Sequence, residues 1–141
     1  MNYAELAQLY FDRSTAMQNY WNIYILVVGG LLAFSSLRKR HAALTTALVC
    51  LLFALFAYEN LGALKAVTAQ RWALLETIKE ADAAGGSVPS RTVRDRLEPT
   101  LTPATYSSVR RTHLAGDILT IAALIAMELR RRSLREVLQT T

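Results

Sequence analysis

Charged residues leave three windows of the chain almost untouched and crowd the stretches between them. Apolar side chains dominate Ile23–Leu37, Ala42–Tyr58 and Leu114–Leu129, and the last window is broken only by Asp117 and Glu128. The middle window, AALTTALVCLLFALFAY, carries no charge at all. At ~1.5 Å rise per residue it covers roughly 26 Å as a helix, slightly short of the ~30 Å hydrocarbon core of a bilayer. It continues into Glu59–Ala83, where Gly62 is the sole Gly or Pro. One helix is therefore expected to run out of the bilayer without a break.

The first window belongs to a longer pattern. Tyr3, Leu6, Tyr10, Met17, Trp21, Tyr24 and Val28 recur at intervals of three and four, interrupted at Arg13, and predict one helix over Tyr3–Leu37. Tyr20, Trp21 and Tyr24 stand where interfacial aromatics belong. Glu5, Gln8, Asp12, Thr15, Asn19 and Asn22 form a second stripe, which continues through Leu26 to Gly29, Ala33 and Ser36. One side of this helix is thus polar at first and small further on. Beyond Tyr58, Leu61, Leu64, Val67, Trp72, Leu74, Leu75 and Ile78 share an arc of roughly 160° on a helical wheel. Arg71 falls inside that arc, which requires it either to snorkel or to meet an acidic partner.

Punctuation fixes the remainder. Arg38–His41 is a link short enough to force the first two helices antiparallel. Gly85, Gly86 and Pro89 end the second helix. Ser90 is placed to cap a short helix at Arg91–Leu97, and Pro99 and Pro103 bracket a turn. A third long helix is expected from about Pro103, with the proline in its first turn. The fold class that follows is an all-α integral membrane protein in a single domain over 1–141. Three long transmembrane helices, with spans about 20–37, 42–58 and 114–129, extend into a small extramembrane helical bundle made of 1–19 and 59–113.

Charge orients these spans. The short flanks 38–41 and 130–136 hold seven Lys or Arg and one Glu, while 1–19 and 59–113 together hold nine basic and eight acidic residues. Dense basic flanks beside span ends favour the cytoplasmic side. The expectation is a protein of the cell (plasma or inner) membrane, with its N-terminus outside and its C-terminus in the cytoplasm. The basic cluster Arg38-Lys39-Arg40 follows the first apolar run instead of preceding it, and no small-x-small cleavage site comes before that run. That is the layout of an uncleaved anchor, not of a secretory signal. The formal charge of +5 is the mark of those flanks.

Little chemistry is written in the motifs. There is no phosphate-cradling glycine loop, no Gly-x-Ser-x-Gly and no His-Glu-x-x-His, so no enzyme is expected. Cys50 is the one cysteine, and His41 and His113 lie far apart in sequence, so neither a metal nor another cofactor is expected. Asp117 is the most informative residue, because a carboxylate within a span costs up to ~2.5–3.5 kcal/mol at the bilayer centre. It either contributes to a ring of carboxylates in an oligomeric pathway, extended by Thr120 one turn deeper, or pairs with His113 or Arg110. Asn19, Asn22 and Ser36 are candidate pathway residues, and Gly29 and Ala33 form a small-x-x-x-small pair suited to helix packing. Arg91, Arg94, Arg96, Arg110 and Arg111 form a basic patch in sequence that would suit a nucleotide or nucleic-acid phosphate, against Asp95 and Glu98 within it. In size and layout the chain resembles the small effector channels of bacterial defence systems. The expected function is a homo-oligomeric ion channel in a lipid bilayer; the alternative is a non-conducting accessory or scaffold subunit of a larger membrane complex.

Overall fold

A computed structural model of the chain describes residues 3–83, 96 and 98–140. Its elements are three long α-helices, α1 (Tyr3–Leu37), α2 (Ala43–Ala83) and α3 (Tyr106–Thr140), with a 3-10 turn at Glu98–Leu101; no strand occurs among the described residues. Each of the three helices is long and apolar enough to cross a membrane. Most of the short helix expected at 91–97 lies outside the described residues.

The helix ends follow local chemistry. Glu5 in the first turn of α1 complements the positive end of the helix dipole. The start of α3 differs from the expectation. Pro103 is buried ahead of the helix, and Thr105 caps it: its hydroxyl accepts the Ser108 N–H at 3.4 Å, and its carbonyl accepts those of Ser108 and Val109 at 3.0 and 3.1 Å. Threonine supplies a side-chain acceptor that proline lacks, so the helix begins after it. Ala42 precedes α2 and its carbonyl accepts the Thr46 N–H at 3.1 Å, but alanine offers no capping oxygen.

The chain divides into two compact units, Met1–Tyr20 with Gly62–Val109, and Trp21–Leu61 with Arg110–Thr141. In the first, Leu6, Tyr10, Leu75, Ile78 and Leu101 form the buried core, with Tyr3, Trp72 and Leu74 packed on it. The Tyr10 hydroxyl donates to the Leu101 carbonyl, which fastens the 3-10 turn to α1. Arg71, flagged by its place in the apolar arc, meets no carboxylate among the described residues. Its guanidinium lies over the Tyr10 ring, 5.1 Å from the centroid, and donates to the Tyr10 hydroxyl at 2.9 Å and to the Met17 sulfur at 3.1 Å. Lys65 makes a similar contact with the Tyr106 ring at 5.9 Å. An aromatic face attracts a cation without the desolvation of a second charge.

In the second unit, Tyr24, Phe53 and Ala57 are buried, and Trp21, Val27, Val28, Leu31, Phe56 and Ile121 surround them. Here Asn60 pairs with His113 and Thr46 with Glu128, so α2 and α3 run antiparallel. Tyr24 pairs with Asp117 and Ser35 with Arg131, so α1 and α3 run parallel. Gly29 and Gly30 face open space, with nothing within 4 Å of an added Cβ.

Removing the Tyr10 hydroxyl tests the first unit. Tyr10→Phe keeps the ring but strands the Leu101 carbonyl and one Arg71 N–H, a loss of about 1–3 kcal/mol. Thermal unfolding of the purified protein, followed by circular dichroism, should show a lower midpoint for this variant. Tyr58→Phe, at a position 76% exposed, should unfold with the wild type.

Candidate functional site

Two polar clusters lie within the second unit, and each draws on all three helices. The first is built on His113, which is fully buried. Its Nδ1 lies 2.9 Å from Asp117 Oδ2, one helical turn further along α3, and its Nε2 lies 3.1 Å from Asn60 Oδ1 on α2. The other Asp117 oxygen accepts the Tyr24 hydroxyl of α1 at 2.9 Å. Tyr24 and Trp21 flank the imidazole, with ring centroids 4.4 and 5.8 Å away.

Both atoms facing the imidazole are oxygens. With Asp117 as a carboxylate, the ring satisfies both oxygens when each nitrogen carries a proton. Turning the Asn60 amide by half a turn presents an N–H to Nε2 instead and satisfies the neutral ring with its proton on Nδ1. In either arrangement the carboxylate is used twice within the unit, by a phenol and an imidazole. Gly116 makes this possible. A Cβ there would lie 2.5 Å from the Tyr24 hydroxyl oxygen, so only glycine lets the phenol reach Asp117. Thr120, buried one turn on, donates to the Gly116 carbonyl at 2.7 Å.

The second cluster is centred on Glu128 of α3, which is 6% exposed. One carboxylate oxygen accepts the Ala42 N–H at 2.7 Å, and the other accepts the Thr46 hydroxyl at 2.9 Å and Arg131 Nη2 at 3.0 Å. His41 Nδ1 approaches to 2.6 Å, within ion-pair reach but off the hydrogen-bond direction, and Arg38 Nη2 to 3.6 Å. Glu128 thus accepts the N–H of the residue that leads into α2, as the glutamate of a capping box does, and its negative charge suits the dipole there. Arg131 extends the cluster to α1, donating to the Ser35 carbonyl at 2.6 Å and to its hydroxyl at 3.2 Å. Arg38 donates to the Thr46 hydroxyl and the Ala42 carbonyl, each at 3.2 Å. The Arg38–Ala42 link is therefore pinned from both sides.

The sequence-derived candidates separate into groups. Asp117, His113 and Thr120 gather inside the second unit. Asn22, Gly29, Ala33 and Ser36 lie on its exposed side, and Asn19 is exposed in the first unit. Arg96 is exposed in the first unit, Arg110 and Arg111 are exposed in the second, and Arg91 and Arg94 lie outside the described residues. Tyr24, Asn60, Gly116, Glu128, Thr46 and Ser35 complete the clusters without having been singled out. Tyr24 carries the signature of an interfacial aromatic, and no motif or periodicity ties Asn60 to His113. Glu128 stood out only as a charge within an apolar window. Among the described residues, no three His, Cys, Asp or Glu side chains are placed to share a metal ion. No protein-family model, curated protein or solved structure matches the chain.

The contact between Gly116 and Tyr24 is testable by a double-mutant cycle. Gly116→Ala should destabilise the fold by about 1–3 kcal/mol, because the methyl group displaces the phenol and strands Asp117. In a Tyr24→Phe background the same substitution should cost much less, since the oxygen it would strike is gone. Additive losses in thermal or denaturant unfolding would mean that the two side chains do not meet.

Proposed function

We propose that the three helices cross a lipid bilayer and that several copies associate along α1 to enclose an ion pathway. The observation that carries membrane residence is where the apolar surface lies. Only 11%, 22% and 22% of the most apolar windows of α1, α2 and α3 is buried inside the protein. Leu26, Leu37, Leu44, Ile118 and Leu119 are each at least 67% exposed. In water each such side chain forgoes roughly 1.5–3 kcal/mol of burial, which lipid restores. The dense basic flanks at 38–40 and 130–135 support an orientation with both the N-terminal arm and the 84–90 segment outside.

Self-association rests on the side of α1 that the fold does not use. Asn22, Leu26, Gly29, Ala33 and Ser36 share one face, and all are exposed. Small residues allow the backbones of neighbouring copies to approach, and closed rings are the usual outcome for identical subunits. In a ring, Asn22 and Ser36 would supply polar groups on either side of Leu26, and a collar of Leu26 side chains would close the path by excluding water. A second reading is favoured by a different observation. Both carboxylates within the spans have hydrogen-bond partners inside one copy, which supports a role for them in holding the helices together. An accessory subunit that docks through α1 and conducts nothing has the same architecture.

Reporter insertions test the orientation. A reporter that works only outside the cytoplasm should be active at Gly85-Gly86 and silent at the C-terminus, and the reverse pattern would invert the topology. Assembly and flux separate the two functional readings. Gly29→Leu should weaken the homo-oligomer expected in detergent, while Ala54→Leu on the exposed side of α2 should not. Leu26→Asn should raise ion flux through reconstituted protein by opening the collar. A wild-type protein that stays monomeric, or an oligomer silent in both forms under voltage, leaves the accessory subunit as the function.

A further inference from the structure

Ser36, Arg38, Met127, Arg130, Arg131 and Leu134 line a cavity of about 310 Å3 in the second unit, between the end of α1 and the basic part of α3. Its wall joins three guanidinium groups to apolar side chains. Arg38 and Arg131 are not free to swing, because Thr46, Ser35 and Glu128 hold them. Arg130 has no hydrogen-bond or ion-pair partner among the described residues and is exposed. Ser36 spends its hydroxyl proton on the Ala33 carbonyl at 2.8 Å, so the arginines are the groups left to meet an anion. Among the described residues Glu128 is the one carboxylate paired with them, which leaves the cavity positive. Beside it, Leu37 and Leu134 are 79% and 57% exposed, and Met127 is half-buried in the wall.

We infer that this cavity seats the phosphodiester headgroup of an anionic phospholipid, with its acyl chain lying along Met127, Leu134 and Leu37. The inference rests on the bilayer-spanning reading and deepens it. An anion alone would need the arginines but not the apolar wall, and a hydrocarbon alone would need the wall but not three arginines. A phospholipid carries both parts in that order, and basic pockets between transmembrane helices suit such headgroups. Fixed guanidinium groups prefer a headgroup with net negative charge. The trimethylammonium of phosphatidylcholine would bring a second cation to an already positive cavity, so that lipid is disfavoured.

Native mass spectrometry of the intact protein released from detergent, with phosphatidylglycerol or phosphatidylcholine added, tests the seat. Phosphatidylglycerol should remain bound where phosphatidylcholine is lost. Arg130→Gln should weaken its retention about fivefold, the effect of one basic side chain at a membrane surface. Arg132→Gln removes the same charge from an exposed residue paired with Glu136 outside the cavity and should leave retention unchanged. Equal loss in both variants would reduce the effect to diffuse charge and overturn the seat. So would the absence of any preference for phosphatidylglycerol. Displacement of the lipid by millimolar inorganic phosphate would assign the cavity to a soluble anion instead. Carbonate washing of membranes distinguishes the underlying reading. Protein released by carbonate overturns membrane insertion, and the lipid seat with it; protein that stays embedded but shows no lipid preference overturns the seat alone.

Discussion

Within an apolar span a polar group must find its partner inside the protein, and Glu128 shows how much structure one such demand can organise. Its two oxygens draw in the Ala42 amide, the Thr46 hydroxyl and the Arg131 guanidinium, with His41 and Arg38 close by. Apart from the Arg131 bond, which lies within α3, each contact joins α3 to the start of α2 or to the link before it. Arg131 then carries the connection to the end of α1 through Ser35. Charge-assisted bonds of this kind are roughly twice as strong as neutral ones, and the low dielectric around a buried carboxylate raises the penalty for leaving any of them unmade. The register of three helices is set by one side chain's need for donors.

The His113 cluster answers the same demand with fewer charges. A phenol, an imidazole, an amide and a carboxylate satisfy one another across α1, α2 and α3. The two clusters sit well apart along α3, so α3 is fixed to each of the other two helices at two heights. Two fixed points prevent both sliding and rotation, which apolar packing alone does not, because one leucine surface slides easily over another. The exposed side of α1 is spared this work and keeps its small residues open.

Helix lengths were legible because they depend on periodicity and on the absence of Gly and Pro, both local properties. The recurrence from Tyr3 to Val28 and the unbroken run beyond Ala42 correspond to α1 and α2. The start of α3 was misplaced, because Pro103 fits a first turn while Thr105 competes as a cap and wins. The pairing of His113 with Asp117 was legible, since residues four apart share a helix face. Its partners Tyr24 and Asn60 were not, because the meeting of side chains from different helices depends on register, which periodicity leaves free. Arg71 was flagged by its apolar neighbours as a residue that either snorkels or meets an acid; among the described residues it meets no acid but a phenol face and a thioether. His41 and Glu128 looked unrelated because 86 residues of chain separate the neighbouring Ala42 from Glu128.

That separation has a consequence for biosynthesis. Ala42 and the arginine before it emerge from the ribosome long before the carboxylate that receives them. At about 5–20 residues per second, chain elongation leaves them waiting roughly 4–17 s. During that interval the hairpin of α1 and α2 exists with its turn unlatched and its cationic side chains without the carboxylate. The arrival of α3 is therefore the step that converts a loosely joined pair of helices into a defined structure, and a nascent chain stalled before Glu128 would present an unfinished turn to the cell's quality control.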